Sequence, residues 1–238
     1  MKILAFDSSG LVASVACVED GSLIAEYTIN HKKTHSETLL PMLDEIVSMA
    51  EISLDTIDAI AVAAGPGSFT GLRIGAATVK GLALALDKPV VSVPTLEALA
   101  YNVWGTDRLV CPIMDAKRGQ AYTAIYRFTD GRITEVLDGQ PLDISELLDM
   151  INEKNEAVIF VGDGIVPFAD DIADRLEVPY MLAPAHMNRQ RAGAVAYAGY
   201  VRYLAGKAEL GDDFAPVYMR QSQAERVRTE QMERIKHE

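Results

Sequence analysis

Hydrophobic and polar residues follow two different periods along the N-terminal part of the chain, and these periods predict strands first and helices afterwards. Residues 2–8, 12–19 and 22–29 have the length and apolar content of short strands. Asp20-Gly21 joins the second strand to the third and is typical of a two-residue hairpin turn. The chain is therefore predicted to open with an antiparallel sheet.

Helical spacing of apolar residues begins at Leu39 and continues to Ala50. Thr34 and Glu37 match an S/T-x-x-E capping box at its start, whereas Pro41 favours a start a few residues later. A strand at 59–64, a glycine-rich turn, a helix ending near residue 86, a strand at 89–93 and a helix at 95–103 are predicted next. The order βββαβαβα predicts a mixed sheet whose later strands are reached by right-handed helical crossovers, as in the ribonuclease-H-like half of actin-type ATPases.

A second series of elements partly repeats this order. Strands are predicted at 109–114, 121–128, 133–137 and 157–161, with a helix at 145–153, a Gly162-Asp163-Gly164 turn and a helix at 190–204 that completes the second lobe. The predicted fold is α/β, with two ribonuclease-H-like lobes at 1–105 and 106–220. Residues 221–238 alternate in charge and are predicted to be a solvated helix or a disordered tail.

Composition narrows the classes of function. The chain has 34 acidic and 22 basic residues, a net charge of −12, which disfavours direct binding of nucleic acid. The acidic surface could complement a basic partner, or it could simply be solvated. The N-terminal apolar run is too short for a signal peptide and no uninterrupted apolar segment suits a membrane span, so a cytoplasmic protein is expected. Cys17 and Cys111 lie far apart in apolar runs and are predicted to be core side chains.

The segment 64–75, AGPGSFTGLRIG, resembles the signature of the TsaB (YeaZ) family. The opening ILAFDSS, Thr34-His35-Ser36, the 115–119 turn DAKRG, the GDG turn and the segment PVYMR at 216–220 resemble that family in the same order, over essentially residues 1–225. The resemblance implies the fold of the actin, sugar-kinase and Hsp70 superfamily. It implies a role in making threonylcarbamoyladenosine at position 37 of tRNA, as the supporting partner of the catalytic paralogue TsaD.

The resemblance also implies partners and a division of labour. TsaD would form a heterodimer with this chain and the ATPase TsaE would join the pair, while the chain alone could form a homodimer and would meet tRNA only through the complex. In TsaD an H-x-x-x-H motif holds a metal, and the matching positions here are Thr95 and Leu99, which are poor ligands. No metal and no catalytic residue are therefore expected. His31 and His35 form a competing H-x-x-x-H, which is either a metal pair or a loop residue beside a helix cap.

Two interpretations of the glycine-rich turn remain open. It could bind phosphate at a helix N-terminus, or Gly71 and Gly75 could give a flat helix face for a neighbouring helix. The resemblance places this helix in the subunit interface, and we expect Arg73 at the rim of the contact. The predicted interface residues are His35, Leu39, Met42, Ser68, Gly71, Leu72, Arg73 and Gly75.

A remnant nucleotide cleft is also expected from the superfamily pattern. Its predicted residues are Asp7, Ser8, Ser9, Gly119, Gly162 and Gly164. The first loop lacks a lysine, so the isolated chain is expected to bind no cofactor tightly, while ATP remains possible in the complex with TsaD and TsaE. The alternatives are an actin-like small-molecule kinase that uses Asp7 to organise a metal and, with less support, a metallopeptidase.

Overall fold

The computed structural model describes residues 1–31 and 34–220, so the charged tail predicted at 221–238 lies outside the described residues. The first five-stranded sheet has the order β3-β2-β1-β4-β5. Its strands are β1 (Lys2–Asp7), β2 (Ala13–Glu19), β3 (Ser22–Ile29), β4 (Ala59–Gly65) and β5 (Val90–Pro94). β1 pairs antiparallel with β2 and parallel with β4, and β4 pairs parallel with β5, which confirms the predicted mixed sheet.

The second sheet repeats this topology in the order β10-β9-β6-β7-β8. Its strands are β6 (Leu109–Asp115), β7 (Gln120–Thr129), β8 (Arg132–Asp143), β9 (Val158–Val161) and β10 (Tyr180–Leu182). β8 continues well past its predicted end at residue 137, because register shifts in its ladder with β7 let the pairing resume after an irregularity. β10 was not predicted, since it is three exposed residues long and has no alternating pattern.

Six α-helices complete the described part of the fold. They are α1 (His35–Met49), α2 (Phe69–Leu86), α3 (Thr95–Tyr101), α4 (Ile144–Lys154), α5 (Ala169–Arg175) and α6 (Ala192–Leu204). α5 is a further element that the sequence did not predict. It has seven residues and only Ile172 is buried, so it shows no apolar periodicity. The two predicted actin-like lobes are therefore present, each a mixed sheet with flanking helices.

The start of α1 agrees with the position of Thr34 but not with the later start that Pro41 suggested. Thr34 occupies the N-cap position, but its side chain makes no capping hydrogen bond, so the predicted capping box does not form. Pro41 lies inside the helix on its exposed side, and the predicted later start is wrong. Burial of an apolar stripe fixes the helix instead, and its members are Leu39, Met42, Leu43 and Ile46.

The helix predicted to complete the second lobe belongs to the first one. α6 packs on β1, β2, β4 and β5, and a Cβ added at Gly199 would lie 2.6 Å from the Ala61 Cβ. Side chains alternate across β1, so Ile3 and Ala5 face α6 while Leu4 and Phe6 face α1 and α2. Its assignment to the second lobe was wrong because helical spacing shows which face of a helix is apolar but not which sheet covers it.

α2 is 18 residues long and, by length and composition alone, apolar enough to cross a membrane. Its buried residues pack against the first sheet and α1, and they include Ala76 and Val79. Arg73 is exposed and Lys80 donates to the Asp212 carbonyl at the surface. α2 is therefore the packed helix of a globular lobe.

The last described residues, 214–220, tie the two lobes together, and we call them the C-terminal strap. Phe214 is buried in the core of the first lobe, while Met219 packs against the core of the second. The Arg220 Nη1 donates to the Ala116 carbonyl over 2.7 Å. The strap therefore contacts both lobes within a few residues.

Candidate functional site: the interlobe cleft and the α1–α2 face

A cleft of about 810 Å³ separates the two lobes on one side of the molecule. Its walls are the loops that follow β1 and β6. The residues that line it are Ser9, Gly10, Leu11, Asn30, His31, His35, Gly67, Ser68, Met114, Asp115, Ala116, Lys117, Tyr122 and Asp163. A pocket of this size between two lobes is the default candidate for a ligand site.

The glycine-rich turn packs directly on the loop after β1. A Cβ added at Gly67 would lie 2.3 Å from the Ser9 carbonyl oxygen, and one at Gly71 would lie 2.0 Å from that of Ser8. At Gly75 the added Cβ would lie 2.5 Å from the Ser8 Oγ. The Ser68 N–H donates to the Ser9 carbonyl over 2.7 Å. The glycines are therefore required for close packing inside the lobe, and Gly71 and Gly75 do not form the open face predicted for another helix.

His35 and Gln190 complete this arrangement, which we call the loop clamp: the contacts that residues 67–75, His35 and Gln190 make with residues 8–10. The His35 Nε2 lies 2.9 Å from the Gly10 carbonyl oxygen. A Cβ added at Gly10 would lie 2.8 Å from the Gln190 amide, so no space remains beside this residue. The loop that would receive a phosphate in an actin-like ATPase is thus held on several sides by protein groups.

The positions of His31 and His35 test whether these two residues could form a metal pair. His31 is an exposed loop residue, whereas His35 opens α1 and contacts the loop clamp. Within residues 1–31 and 34–220, no group of three or more His, Cys, Asp or Glu side chains is arranged to hold a metal ion. Among these residues, His31 and His35 line the same cleft but have no third His, Cys, Asp or Glu grouped with them, whereas a protein metal site normally has at least three ligands.

Asp7 lies beneath the clamped loop and does not line the cleft. It is 1% exposed, and its Oδ1 accepts hydrogen bonds from the Ser9 N–H over 2.9 Å and the Ser9 Oγ over 2.6 Å. Its Oδ2 is buried with no partner among the described residues. Burial raises the pKa of Asp7 to about 6, against the opposing effects of the Ser9 hydrogen bonds and of His35. Ser8 is likewise buried, with its Oγ donating to the Gly71 carbonyl, so of the three predicted residues Ser9 alone reaches the cleft.

The opposite wall is the turn after β6, and it is solvated. Asp115 ends that strand and accepts a hydrogen bond from the Lys117 N–H over 2.8 Å, and the Lys117 ammonium pairs with the same carboxylate. Lys117, Arg118 and Gly119 all have left-handed φ values, 65°, 60° and 75°. Left-handed non-glycine residues in succession are uncommon and mark a strained turn. Gly119 has open space around its Cβ position and does not line the cleft, contrary to the prediction.

The GDG turn contributes its aspartate to the cleft and uses its glycines for packing. Added Cβ atoms at Gly162 and Gly164 would lie 2.2 and 2.9 Å from the Ile113 carbonyl oxygen. Asp163 lines the cleft, and its Oδ1 is buried without a partner among the described residues. Desolvation raises the pKa of Asp163, with the positive charge of Arg189 acting in the opposite direction. Gly162 and Gly164 therefore do not face the cleft as predicted, whereas Asp163, which was not predicted, does.

Among the residues that the structure describes, the charges around the cleft do not resemble a triphosphate clamp. Lys117 is the one Lys or Arg among the described lining residues, and its ammonium already pairs with Asp115. Asp163 adds a further carboxylate. Phosphoryl transfer requires cationic groups around the transferred phosphate. The geometry therefore favours a structural role for the loop after β1 over phosphate binding.

The predicted interface residues divide into an inner and an outer set. Those buried within the first lobe are Leu39, Met42, Gly71, Leu72 and Gly75. His35 is half-buried at the loop clamp, whereas Ser68 and Arg73 are exposed. The Arg73 guanidinium lies 4.0 Å above the Phe69 ring, which in turn packs against Tyr218 with ring centroids 4.7 Å apart. The buried residues support the helices, so any contact with another protein must use the outer set and its exposed neighbours.

Large apolar side chains are exposed on the outer side of α1 and α2. Met49 is 78% exposed, Leu84 is 84% exposed, and Leu40 and Pro41 also face solvent. The two helices contact each other, so their outer surfaces adjoin. We call these residues, with Ala77 and Gly81, the α1–α2 face. On α1 these exposed apolar side chains alternate with the exposed carboxylates of Glu37, Asp44 and Glu45, so the face offers both apolar and acidic groups to a contact.

Comparisons with known proteins agree on one family. The family model described as "TsaD: tRNA N6-adenosine threonylcarbamoyltransferase" matches residues 22–226. The "tRNA threonylcarbamoyladenosine biosynthesis protein TsaB" of Bacillus subtilis is 34% identical over 94% of this chain and 96% of its own length. The protein of the same name from Escherichia coli is 38% identical over 53% of this chain and 55% of its own length. The structure of YeaZ from Pseudomonas aeruginosa superposes with a TM-score of 0.76 and 26% identity, covering 91% of this chain and 99% of that one.

Proposed function

The chain belongs to the TsaB (YeaZ) family, and from this premise we propose that it acts in tRNA threonylcarbamoyladenosine biosynthesis as a non-catalytic subunit that binds and supports TsaD. The α1–α2 face is the proposed docking surface. The observation that carries the proposal is the combination of this apolar face with the loop clamp. The α1–α2 face offers exposed apolar side chains to another protein. The loop clamp packs protein groups against the loop that would bind phosphate in an actin-like ATPase.

The residues at the positions of the catalytic paralogue's metal motif support a non-catalytic role. Thr95 and Leu99 are both buried in the protein interior, and neither the hydroxyl nor the isobutyl group is a useful ligand for a borderline metal. The position of Asp7 does not support the kinase alternative, because Asp7 is buried under the loop after β1 and does not line the cleft. In this proposal TsaD catalyses the threonylcarbamoyl transfer.

The proposal extends to the other members of the complex. TsaE joins the TsaD pair, tRNA is contacted through the complex, and ATP is bound within that assembly and not tightly by this chain alone. Without TsaD, the same α1–α2 face pairs two copies of the chain. A standard interface buries roughly 800 Å² per partner, an area that two adjoining helices can supply. We place this activity in the cytoplasm, where tRNA is modified.

Reconstitution tests the proposal. Purified TsaD, TsaE and the enzyme that makes the threonylcarbamoyl adenylate are incubated with tRNA, with and without this chain, and the modified nucleoside is quantified. We expect product to depend on the chain. Equal product without it would contradict the supporting role, and ATP turnover by the chain alone would favour the kinase alternative.

A further inference from the structure

The helices α1 and α2 start at the same place, the loop clamp, and run away from it in contact with each other. His35 is the first residue of α1, and Ser68 is the N-cap of α2. Both residues line the interlobe cleft. The far ends of the helices carry Met49 and Leu84, which are 78% and 84% exposed on the α1–α2 face. The loop clamp and the most exposed part of the proposed docking surface therefore lie at opposite ends of one helix pair.

The His35 ring fills the gap between the two helices at the clamp. Its Nε2 donates to the Gly10 carbonyl over 2.9 Å, and its Cδ2 lies 3.3 Å from a Cβ added at Gly71. Ser8 also closes the space around Gly71, because its Oγ donates to the Gly71 carbonyl over 2.9 Å. The ring and the loop after β1 together set how closely the first turn of α2 approaches α1.

The buried face of α2 gives few other constraints on the position of this helix. Four of its six buried residues are small, namely Gly71, Gly75, Ala76 and Ala83. The buried face of α1 instead carries Leu39, Met42, Leu43 and Ile46. Packed helices are oriented by ridges of side chains that fit into the grooves of a neighbour, and glycine and alanine give shallow ridges. Contacts at the first turn therefore matter more for the position of α2 than for that of α1.

A small movement at the clamp is enlarged at the far end of α2. An α-helix rises about 1.5 Å per residue, so Leu84 lies roughly 20 Å from Gly71 along the axis. A tilt of about 5° at the first turn would displace Leu84 by about 2 Å. A misfit of this size removes many van der Waals contacts from a packed interface. Docking on the α1–α2 face should therefore depend on how the clamp seats α2.

We propose that His35 and the loop after β1 form a spacer that fixes the position of α2 relative to α1 and so shapes the α1–α2 face for TsaD. His35 is a positioning residue, which stays within the loop clamp and does not touch the partner. A loop that binds phosphate in an actin-like ATPase here aligns a docking surface. The inference rests on the proposed function for the identity of the partner, whereas the spacing is a property of the chain alone.

Double electron–electron resonance on the chain alone measures the spacing. Spin labels are attached after Met49→Cys and Leu84→Cys substitution, because the native Cys17 and Cys111 are buried and react slowly. Labelled chain is diluted with unlabelled chain, so that only distances within one copy contribute. We expect His35→Ala to shift or broaden the distance between the labels by about 2 Å. His35→Gln should restore the wild-type distance, since its amide can donate to the same carbonyl.

Thr56→Ala is the matched control for the loss of one hydrogen bond. The Thr56 Oγ1 donates to the Ser53 carbonyl over 2.7 Å, in the first lobe but away from the clamp. The distance between the labels should equal that of wild type in this variant. If His35→Ala does not fold, His35→Asn gives the same test, because its side chain is too short to span the same gap. An unchanged distance in the variant that folds would overturn the spacer.

Calorimetry with purified TsaD tests the link between spacing and docking. His35→Ala should weaken binding at least about fivefold, His35→Gln should bind within about twofold of wild type, and Thr56→Ala should bind as wild type does. A shifted distance with unchanged affinity would refute the proposal, because the position of α2 would then not matter for docking. If the wild-type chain does not bind TsaD, the proposed function fails, and the distance measurement still decides whether the spacer exists.

Discussion

The two lobes share one strand topology but treat the loop after their first strand in opposite ways. In the first lobe, Asp7 ends β1 and is buried under a loop that the glycine-rich turn, His35 and Gln190 hold in place. In the second lobe, Asp115 ends β6 at a solvated turn whose Lys117 and Arg118 are exposed and left-handed. The same position in the topology is thus a packed support in one lobe and an open wall of the cleft in the other.

The turn and helix that follow the fourth strand also differ between the lobes. The helix between the fourth and fifth strands is α2 in the first lobe, with 18 residues, and α5 in the second, with seven. α2 begins beside the loop after β1 and presents glycines to it, whereas the turn after β6 is held from outside by Arg220 of the C-terminal strap. The two loops are therefore held by different parts of the chain, the first by the start of α2 and the second by the C-terminal strap.

The largest expected effect concerns the buried carboxylate. The pKa of Asp7 is about 6 in the fold against an ordinary value of 3.8, so both states are protonated, and no penalty exists, only at pH values well below 3.8. As pH rises towards 6 the unfolded chain ionises first, and folding loses about 3 kcal/mol. Asp7→Asn cannot ionise, so wild type should lose this stability relative to the variant as the pH rises from about 3 through 6. Urea unfolding at several pH values measures the difference, and parallel pH profiles would contradict the buried state.

The loop clamp predicts the next effect. Gly71→Ala brings a methyl group against the Ser8 carbonyl, an overpacking cost of about 3 kcal/mol, offset by about 1 kcal/mol from better helix propensity. The expected net loss is about 2 kcal/mol in urea unfolding. Gly81→Ala is the matched control on the same helix, with nothing within 4 Å, and should stabilise slightly. If the two variants had equal stability, the packing of α2 on the loop after β1 would be refuted.

The proposed docking surface can be separated from ordinary surface hydrophobicity. Leu84→Glu places a charge on the α1–α2 face and should weaken binding to purified TsaD at least tenfold, about 1.4 kcal/mol. Met181→Glu is the control, because Met181 is 48% exposed on β10 of the second lobe. Calorimetry with each variant gives the affinities. If Leu84→Glu and Met181→Glu bound TsaD with equal affinity, the proposed docking on the α1–α2 face would be contradicted.

The smallest expected effect concerns the strap. Arg220→Ala removes the hydrogen bond to the Ala116 carbonyl and the guanidinium that lies 5.7 Å from the Tyr122 ring centroid, which costs about 1 kcal/mol. Hydrogen exchange should increase in residues 115–120 while the first lobe keeps its protection. Arg175→Ala, which breaks an exposed pair with Asp149, is the control and should leave residues 115–120 unchanged. Equal exchange in both variants would show that the strap does not support this turn.

Local signals predicted most of the two sheets correctly, because strand alternation and turn chemistry depend on neighbouring residues. The Asp20-Gly21 turn shows this, with both φ values positive as the hairpin requires. Elements of few residues with no periodicity, β10 and α5, escaped prediction. The capping box failed for a related reason: the sequence places Thr34 at the N-cap but does not fix the direction of its hydroxyl.

The candidate site was predicted in outline, with errors in which residues face it. The sequence indicated a cleft near the first loop and the GDG turn, and Ser9 does line it. Gly162 and Gly164 were taken as ligand-facing, but they pack on Ile113 while Asp163 between them faces the cleft. A glycine pattern marks close approach of another group, and it does not say whether that group is a ligand or the chain's own backbone.

The sequence by itself determined the family, the α/β class and the repeated strand order, since these follow from separated motifs and local periodicity. Tertiary structure decided which surfaces remain open. It placed α6 on the first sheet, filled the face of α2 that carries Gly71 and Gly75 with the loop after β1, and left Leu84 exposed. The physical reason is that burial depends on contacts between residues far apart in the chain, and a one-dimensional pattern shows an apolar face but not what covers it.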